Sequence, residues 1–579
     1  MKEMMNKLYN IICVGCAALT MASCVDTVIL PDDKTVDEDF WKSKSDVALM
    51  LNGAYKSMLS DNVIARLIVW GGLRSDELLP NTQITGTLME NLRDINLANT
   101  QTDNQFVKWD AFYSVINNCN IVLDRAEAVT KEDPSYTEGD YLADRSQMLA
   151  LRSLCYFYLV RNYRDIPYIA TAFMSDSQER SLPLSTPDVV LENCINDLQE
   201  AERNAVSSSA YADWRRVGYM TRDAIQALLA DIYLWRGSVM HSNSDYQQAI
   251  AYCDKVIASK KAQHVPGRGE VENVEYPLAE GREMFAELFV LQNAEESIFE
   301  LQFDGENNPS IALQQYFKQI SSSNASPYLY APKLFKKDET IYPKTTNGSD
   351  WRGYNTYTND KTVDEFEVVQ VRKYVSKSTQ IGHITGTELL SYNTKNQQNY
   401  IVYRLTDVML MKAEALAALA LLTEQEGASD SVDVEHLRLA FNLVQTVNAR
   451  SLEVESDSLK WDTYKNYTAE GIEGLVLNER LRELAFEGKR WYDLLRYNYR
   501  HSEGVDYGTL LADQQSLPKV YQPMLDLMVR KLSSKGSAVA SKTNTEARLY
   551  LPIPEADLKL SPLWRQNPSY GSSDTFSKN

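Results

Sequence analysis

The sequence predicts a mostly α-helical protein: a degenerate tetratricopeptide-like helical-repeat scaffold carrying one loop-rich subregion and a few short strands. Three observations predict it. Apolar residues recur at helical spacing from Phe40-Trp41 onward, small residues stand where paired helices must approach, and residues 300–398 break that pattern. Of the 579 residues, 44% are apolar and 24% charged, which suits a folded body and excludes disordered, collagen-like and polytopic membrane classes. The net charge of −20 repels phosphate backbones and excludes generic nucleic-acid binding.

Taken in order, the chain opens with Lys2 and Lys7 and an apolar run from Ile11 to Met21. That run is too short to span a bilayer and has the length of a signal-peptide core. It ends in Thr20-Met21-Ala22-Ser23-Cys24, which resembles the bacterial lipobox, where the cysteine is lipidated. Residues 1–23 are therefore expected to be a lipoprotein signal peptide, Cys24 the lipid attachment site, and residues 24–39 a polar tether. Seven cysteines occur; the four beyond Cys24 are widely separated in apolar helical segments, so they are expected to be buried free thiols.

The run Met148 to Val160 is apolar nearly all round and predicts a buried helix that stops before Pro167. Thr186-Pro187-Asp188 predicts the next helix start, with Thr as N-cap and Pro at the first helical position. Ala227 to Leu234 with Tyr246, Ala249 and Ile250 predicts one helix pair. Met411 to Leu416 with Leu437, Ala440 and Phe441 predicts another. Ser297 to Phe303 reads as a strand, and residues 300–398 as long structured loops of the kind that bind ligands.

Enzyme signatures fail. There is no HxxxH pair and no GxSxG elbow, and Gly348 to Gly353 is followed by Tyr354 where a P-loop needs Lys, so no metal site, cofactor or catalytic residue is expected. Glu479, Glu483 and Glu487 are spaced four apart and should share one helical face, as paired carboxylates for glycoside hydrolysis would. Arg480, Arg482, Lys489 and Arg490 interleave with them, so ion-paired structural carboxylates are expected instead.

The positive signal is aromatic: 34 Tyr and 9 Trp. Sugars stack a C–H face on Trp or Tyr and hydrogen-bond with Asn, Asp, Arg and Gln. Three segments combine both kinds of residue. One holds Trp70, Arg74 and Asp76; a second holds Trp214; a third holds Tyr328, Tyr330, Asp350, Trp351, Arg352, Tyr354 and Tyr357. Trp41, Trp109 and Trp491 lie on helical faces and are assigned to the core.

Ordered blocks along nearly the whole chain resemble a known family. Asp39-Phe40-Trp41, Asn52-Gly53-Ala54-Tyr55, Leu151 to Val160 followed by Asp165-Ile166-Pro167, and Asn293 to Glu300 come first. Tyr403-Arg404-Leu405-Thr406-Asp407, Asn478 to Trp491 with Asp493-Leu494, Leu551-Pro552-Ile553-Pro554 and Gln566-Asn567-Pro568 follow. Together they are similar to the SusD/RagB family of outer-membrane nutrient-binding lipoproteins. Arg164 departs from it, standing where glycine is common, and Gln445 and Asn448 loosen an Asn-x-Val-Arg pattern. The resemblance divides the chain into an N-terminal helical region, 40–290, and a C-terminal region, 291–579. It implies a non-catalytic, lipid-anchored protein at the outer membrane, facing the cell exterior. Such a protein captures oligosaccharides and hands them to a SusC-like TonB-dependent transporter. Peptide or other nutrient binding, as in RagB-like members, is the alternative, with a glycoside hydrolase behind it.

Overall fold

The structure, a computed structural model, describes residues 40–571 apart from 176–177, 179–181, 267–273, 319–325, 337, 364–365, 376–395, 426–432, 465–467 and 503. The expected leader, Cys24 and the 24–39 tether lie outside the described residues. The first long helices are α1 (Lys44–Met58), α2 (Asp110–Glu132), α3 (Glu138–Tyr163), α4 (Pro187–Asn204), α5 (Arg222–Met240) and α6 (Asn243–Gln263). Then come α7 (Leu405–Gln425), α8 (Val434–Ser451), α9 (Ala469–Leu484) and α10 (Arg490–His501). Each packs against its neighbour in this order from α1 to α8, and α9 and α10 close the stack against α7 and α5. This is the mostly helical, repeat-like body the sequence predicts.

Local causes are readable. Helix α3 begins at a capping box, Thr137 with Asp140, and is buried without a break from Ser146 to Tyr163, as its uniform apolarity requires. It ends at Arg164, whose φ of 68° explains why glycine suits this position. A non-glycine residue held there costs of order 1–3 kcal/mol. The buried Arg164 guanidinium offsets that cost by pairing with Asp165 at 2.8 Å and Glu546 at 3.3 Å. Helix α4 starts with Pro187 at its first turn as expected, but Thr186 supplies no side-chain cap. The α5–α6 hairpin turns on His241, in the left-handed conformation. Cys119, Cys155, Cys194 and Cys253 are buried free thiols, as expected.

Helices α6 and α7 pack directly although residues 264–404 separate them in sequence. That segment is an excursion from the stack, and it is less loop-like than expected. It holds β2 (Ser297–Leu301), β3 (Leu329–Pro332), β4 (Thr356–Val363), β5 (Phe366–Val371) and β6 (Tyr400–Arg404). With β1 (Leu79–Pro80), three of these strands form a four-stranded antiparallel sheet ordered β1-β3-β5-β4, and β2 pairs with β6. The alternation that would announce such strands is missing because β2, β3 and β6 are buried at every position.

A buried lattice of charges ties excursion to stack. Glu483 of α9 accepts from Arg352 at 3.0 Å, Arg404 at 2.6 Å and Arg450 at 2.5 Å. Glu479 pairs with Arg352 at 2.7 Å and Arg482 at 2.6 Å, and Glu487 with Arg404 at 3.0 Å and Lys373 at 2.6 Å. The three carboxylates do not share a helix. Helix α9 stops at Leu484, and Phe486 and Gly488 both take positive φ, so Glu487 sits in the turn to α10. The expectation of ion-paired carboxylates holds, yet only Arg482 of the expected interleaved partners joins these pairs; the others come from distant segments. A second set follows along α10: Arg480 with Asp407 and Asp493, Arg496 and Arg500 with Glu414, and Arg490 with Asp76 at 2.9 Å.

Burial alone would raise the Glu483 carboxyl, but Arg450, Arg404 and Arg352 outweigh it and hold it well below the usual carboxylate range. Glu479, beside Arg352 and Arg482, and Glu487, beside Arg404 and Lys373, are depressed against burial in the same way. A carboxyl more acidic in the folded than in the unfolded chain stabilises the fold above its unfolded value of about 4.3. That contribution disappears as pH falls toward the folded value. Unfolding midpoints should therefore hold from pH 7 to about 5 and drop steeply below about 4.3. Glu483→Gln should lower unfolding free energy by about 3–5 kcal/mol, because it withdraws the one buried negative charge that Arg352, Arg404 and Arg450 share. Denaturant titration of both proteins across pH checks the two outcomes together.

Candidate functional site

The loop 345–352 is strapped to the segment following α8. Asn347 donates from its backbone and side chain to the two Asp457 oxygens, each at 2.6 Å, and Ser349 and Glu453 exchange hydrogen bonds. Asp350 caps the short turn Trp351–Asn355 by accepting from Arg352 N at 2.9 Å. The Arg352 guanidinium then forks back to Asp350 and reaches Glu479 and Glu483. The charged residues on either side of Trp351 thus run into the buried lattice, and the indole between them is left half-buried at the surface. Tyr354 stacks beside it, centroids 6.0 Å apart and planes within 25°. Both rings rest on a small cluster of Met284, Phe285, Leu288, Phe289 and Ile401.

Trp351 faces an open cleft of about 1080 Å³. Its other walls carry Tyr276, Glu280, Arg282, Gln445, Thr446, Glu453, Ser456 and Lys460. Gly281 lets the 280–282 strap lie close: a Cβ there would sit 1.8 Å from the Arg450 carbonyl oxygen and 3.1 Å from Trp351 Cδ1. Gln445 donates to the Leu459 carbonyl at 2.7 Å, and Asn448 accepts from Leu459 N at 3.2 Å. The two residues that loosen the pattern noted in the sequence are the ones gripping the cleft's polar wall. The cleft offers the Trp351 indole backed by Tyr354, the Tyr276 ring on another wall, and hydroxyl, amide, carboxylate, guanidinium and ammonium groups around them. Such a surface suits a ligand with an apolar face and a hydroxylated rim.

The other sequence candidates go elsewhere. Trp70 lies fully buried in a π-helical turn, Val69–Leu73, stacked on Phe112 at 5.0 Å and donating Nε1 to the Phe106 carbonyl. Asp76 is buried between Arg490 at 2.9 Å and Arg530 at 2.6 Å, which hold its pKa at about 2 against burial. Arg74 donates to Asn162 and the Leu549 carbonyl and lies over Trp491, 4.3 Å from the ring centroid. This segment is the seat for the α9–α10 turn: a Cβ on Gly71 would lie 2.0 Å from the Gly488 carbonyl oxygen. Tyr330 is buried in β3, and Asp350 and Arg352 are buried anchors. Tyr328 is half-buried with its ring edge-on to Tyr316, and Tyr357 lies in β4, its side chain outside the described residues. Trp214 is surface-exposed, away from the cleft lining. Trp41, Trp109 and Trp491 are core, as expected. The cleft's second wall, Gln445 to Lys460, was missed; its one signal is the polar run Glu453 to Ser458 after an otherwise ordinary helix.

Among the described residues no group of His, Cys, Asp or Glu is arranged to hold a metal, and no helix is long and apolar enough to cross a membrane. Two family models, described as the SusD family and as starch-binding, associating with outer membrane, match residues 316–570 and 30–234. The chain belongs to the SusD family. SusD-like protein P38 of Formosa agariphila is 25% identical over 490 residues, covering 81% of this chain and 86% of that protein. SusD-like protein P2 of the same organism is 25% identical over 506 residues, covering 83% and 88%. A SusD superfamily structure from Bacteroides vulgatus superposes with a TM-score of 0.65 at 17% identity, covering 92% of this chain and all of that one. NanU of B. fragilis gives 0.59 at 18%, covering 94% and 100%. These likenesses show that the chain shares the overall fold of those structures.

Burial separates the aromatic candidates energetically. Trp70→Ala should cost about 3–5 kcal/mol of stability, as removal of a fully buried Trp does. Trp351→Ala, at a half-buried ring, should cost clearly less, about 1 kcal/mol of unfolding free energy. Parallel chemical denaturation of the two variants checks the contrast.

Proposed function

We propose that this SusD-family protein is a non-catalytic, surface-exposed lipoprotein that captures an oligosaccharide in the Trp351 cleft and passes it to a SusC-like TonB-dependent transporter. One observation carries the ligand reading: a stacked Trp351–Tyr354 pair, locked by buried ion pairs on both flanks, facing a roomy polar cleft. Rigid rings lose little entropy on binding, and their faces match the axial C–H patches of a pyranose. A volume of about 1080 Å³ suits several linked sugars better than one. SusD-family membership and the outer-membrane association in one family description support the same reading.

Binding without catalysis agrees with the carboxylates of the α9–α10 region. A glycoside hydrolase needs one carboxyl kept protonated near neutral pH. Glu479, Glu483 and Glu487 are instead held ionised by their arginines and buried away from the cleft surface.

Calorimetric titration with oligosaccharides cut from starch, xylan, laminarin and pectin should find one class that binds. Trp351→Ala should weaken that binding about two- to tenfold, the loss of one ring contact of about 0.5–1.5 kcal/mol. Unchanged affinity in that variant would place the ligand elsewhere. For the anchor and partner, Cys24→Ala should remove lipid labelling and membrane retention. The parent protein should copurify from native outer membranes with a barrel transporter in near-equal amounts; recovery as a free monomer in mild detergent would count against the partnership.

A further inference from the structure

Trp214 is the aromatic candidate that neither the core nor the cleft accounts for. It is 46% exposed, whereas the chain's other tryptophans are buried or half-buried. It is also rigidly held. The residue opens the short helix Arg215–Gly218, and its indole leans over bare glycine: a Cβ on Gly218 would lie 2.6 Å from Cε3. Tyr219 meets it edge-on at 5.5 Å, and Tyr219 in turn stacks on Tyr55 at 5.0 Å. Tyr55 is fixed at its hydroxyl, which donates to Gln147 at 2.9 Å and accepts from Met220 N at 2.8 Å. Arg216 pins the short helix to the Asn293 carbonyl just before β2.

Flanking Trp214 in the chain, Arg215 and Asp213 form a bidentate fork at 2.9–3.1 Å, both about half exposed, with the guanidinium 5.3 Å from the Tyr211 ring centroid. Each group satisfies the other and still offers outward donors and acceptors. Packing explains why the indole is immobile. It does not explain why a large apolar ring is backed by two further rings and then left open to water between the two residues of a polar fork. A sugar ring uses both parts: its C–H face takes the indole, and its hydroxyls take the fork.

We propose that Trp214, with the Asp213–Arg215 fork, is a second sugar-stacking site, separate from the Trp351 cleft, that holds a further segment of a long glycan chain. This rests on the reading of the cleft as a glycan site. Two modest sites on one chain raise retention of a polymer without changing affinity for a short fragment, because the second contact is intramolecular. The ledge therefore selects for chain length.

The test uses the purified full-length protein in native gels containing soluble starch, xylan, laminarin or pectin. Oligosaccharides of four to six units from whichever polymer retards it then serve for titration calorimetry. Trp214→Ala should weaken polymer affinity about two- to tenfold while oligosaccharide affinity and melting temperature stay unchanged. Gly218→Ala, which pushes the indole off its seat, should reproduce that loss. Full polymer affinity in both variants overturns the ledge. Equal loss for the short oligosaccharide also overturns it, because Trp214 would then belong to the cleft. If Trp351→Ala weakens binding and Trp214→Ala does not, the ledge alone falls; if neither variant matters, or no polymer retards the protein, the cleft reading falls with it.

Discussion

The interaction on which the rest of the structure depends is the buried charge lattice around the α9–α10 turn. Isolated ions moved from water into a protein interior cost several kcal/mol each, so such a lattice persists only when every partner is present and well placed. Here Glu483 alone gathers arginines from the Trp351 loop, from the end of β6 and from α8. A greasy patch would let those segments slide and repack. A carboxylate with three guanidiniums permits one arrangement, and that arrangement brings the excursion's tip against the end of α8.

The same lattice explains how one stretch of chain serves two ends. In Asp350-Trp351-Arg352 the outer residues are spent inward, and the middle one is left facing the cleft. An aromatic on a free loop would lose rotational freedom on binding; this one has already lost it on folding. Tyr354 supplies a backing ring, and the Gly281 strap closes one side of the cleft without pushing the indole away.

Much of this was legible in the sequence, and the part that was not has a common cause. Helix α3, the two helix pairs and the buried thiols follow from periodicity within one window of chain. The α9 carboxylates were readable as ion-paired, but not their partners, because Arg352, Arg404 and Arg450 lie far away in sequence. Trp70-Gly71-Gly72 has the composition of a sugar-binding loop and the position of a core turn. Its fate was decided by Gly488 and Arg490, more than 400 residues on. Composition singled out the candidate rings, Trp351 among them; long-range pairing decided which of them stayed at the surface.

The direct packing of α6 on α7 sets how the molecule can diversify. The helical stack closes across residues 264–404, so the ends of that segment are clamped by the packing of α6 on α7. Loop-closure entropy grows only with the logarithm of length, and doubling a loop adds about 0.6 kcal/mol. Surface turns between the buried strands of this segment can therefore lengthen by tens of residues at a small closure cost, whereas its strands and lattice residues cannot be lost so cheaply. The constraint on such change is local: whatever is inserted must still deliver an arginine to Glu483 and leave its neighbour facing outward.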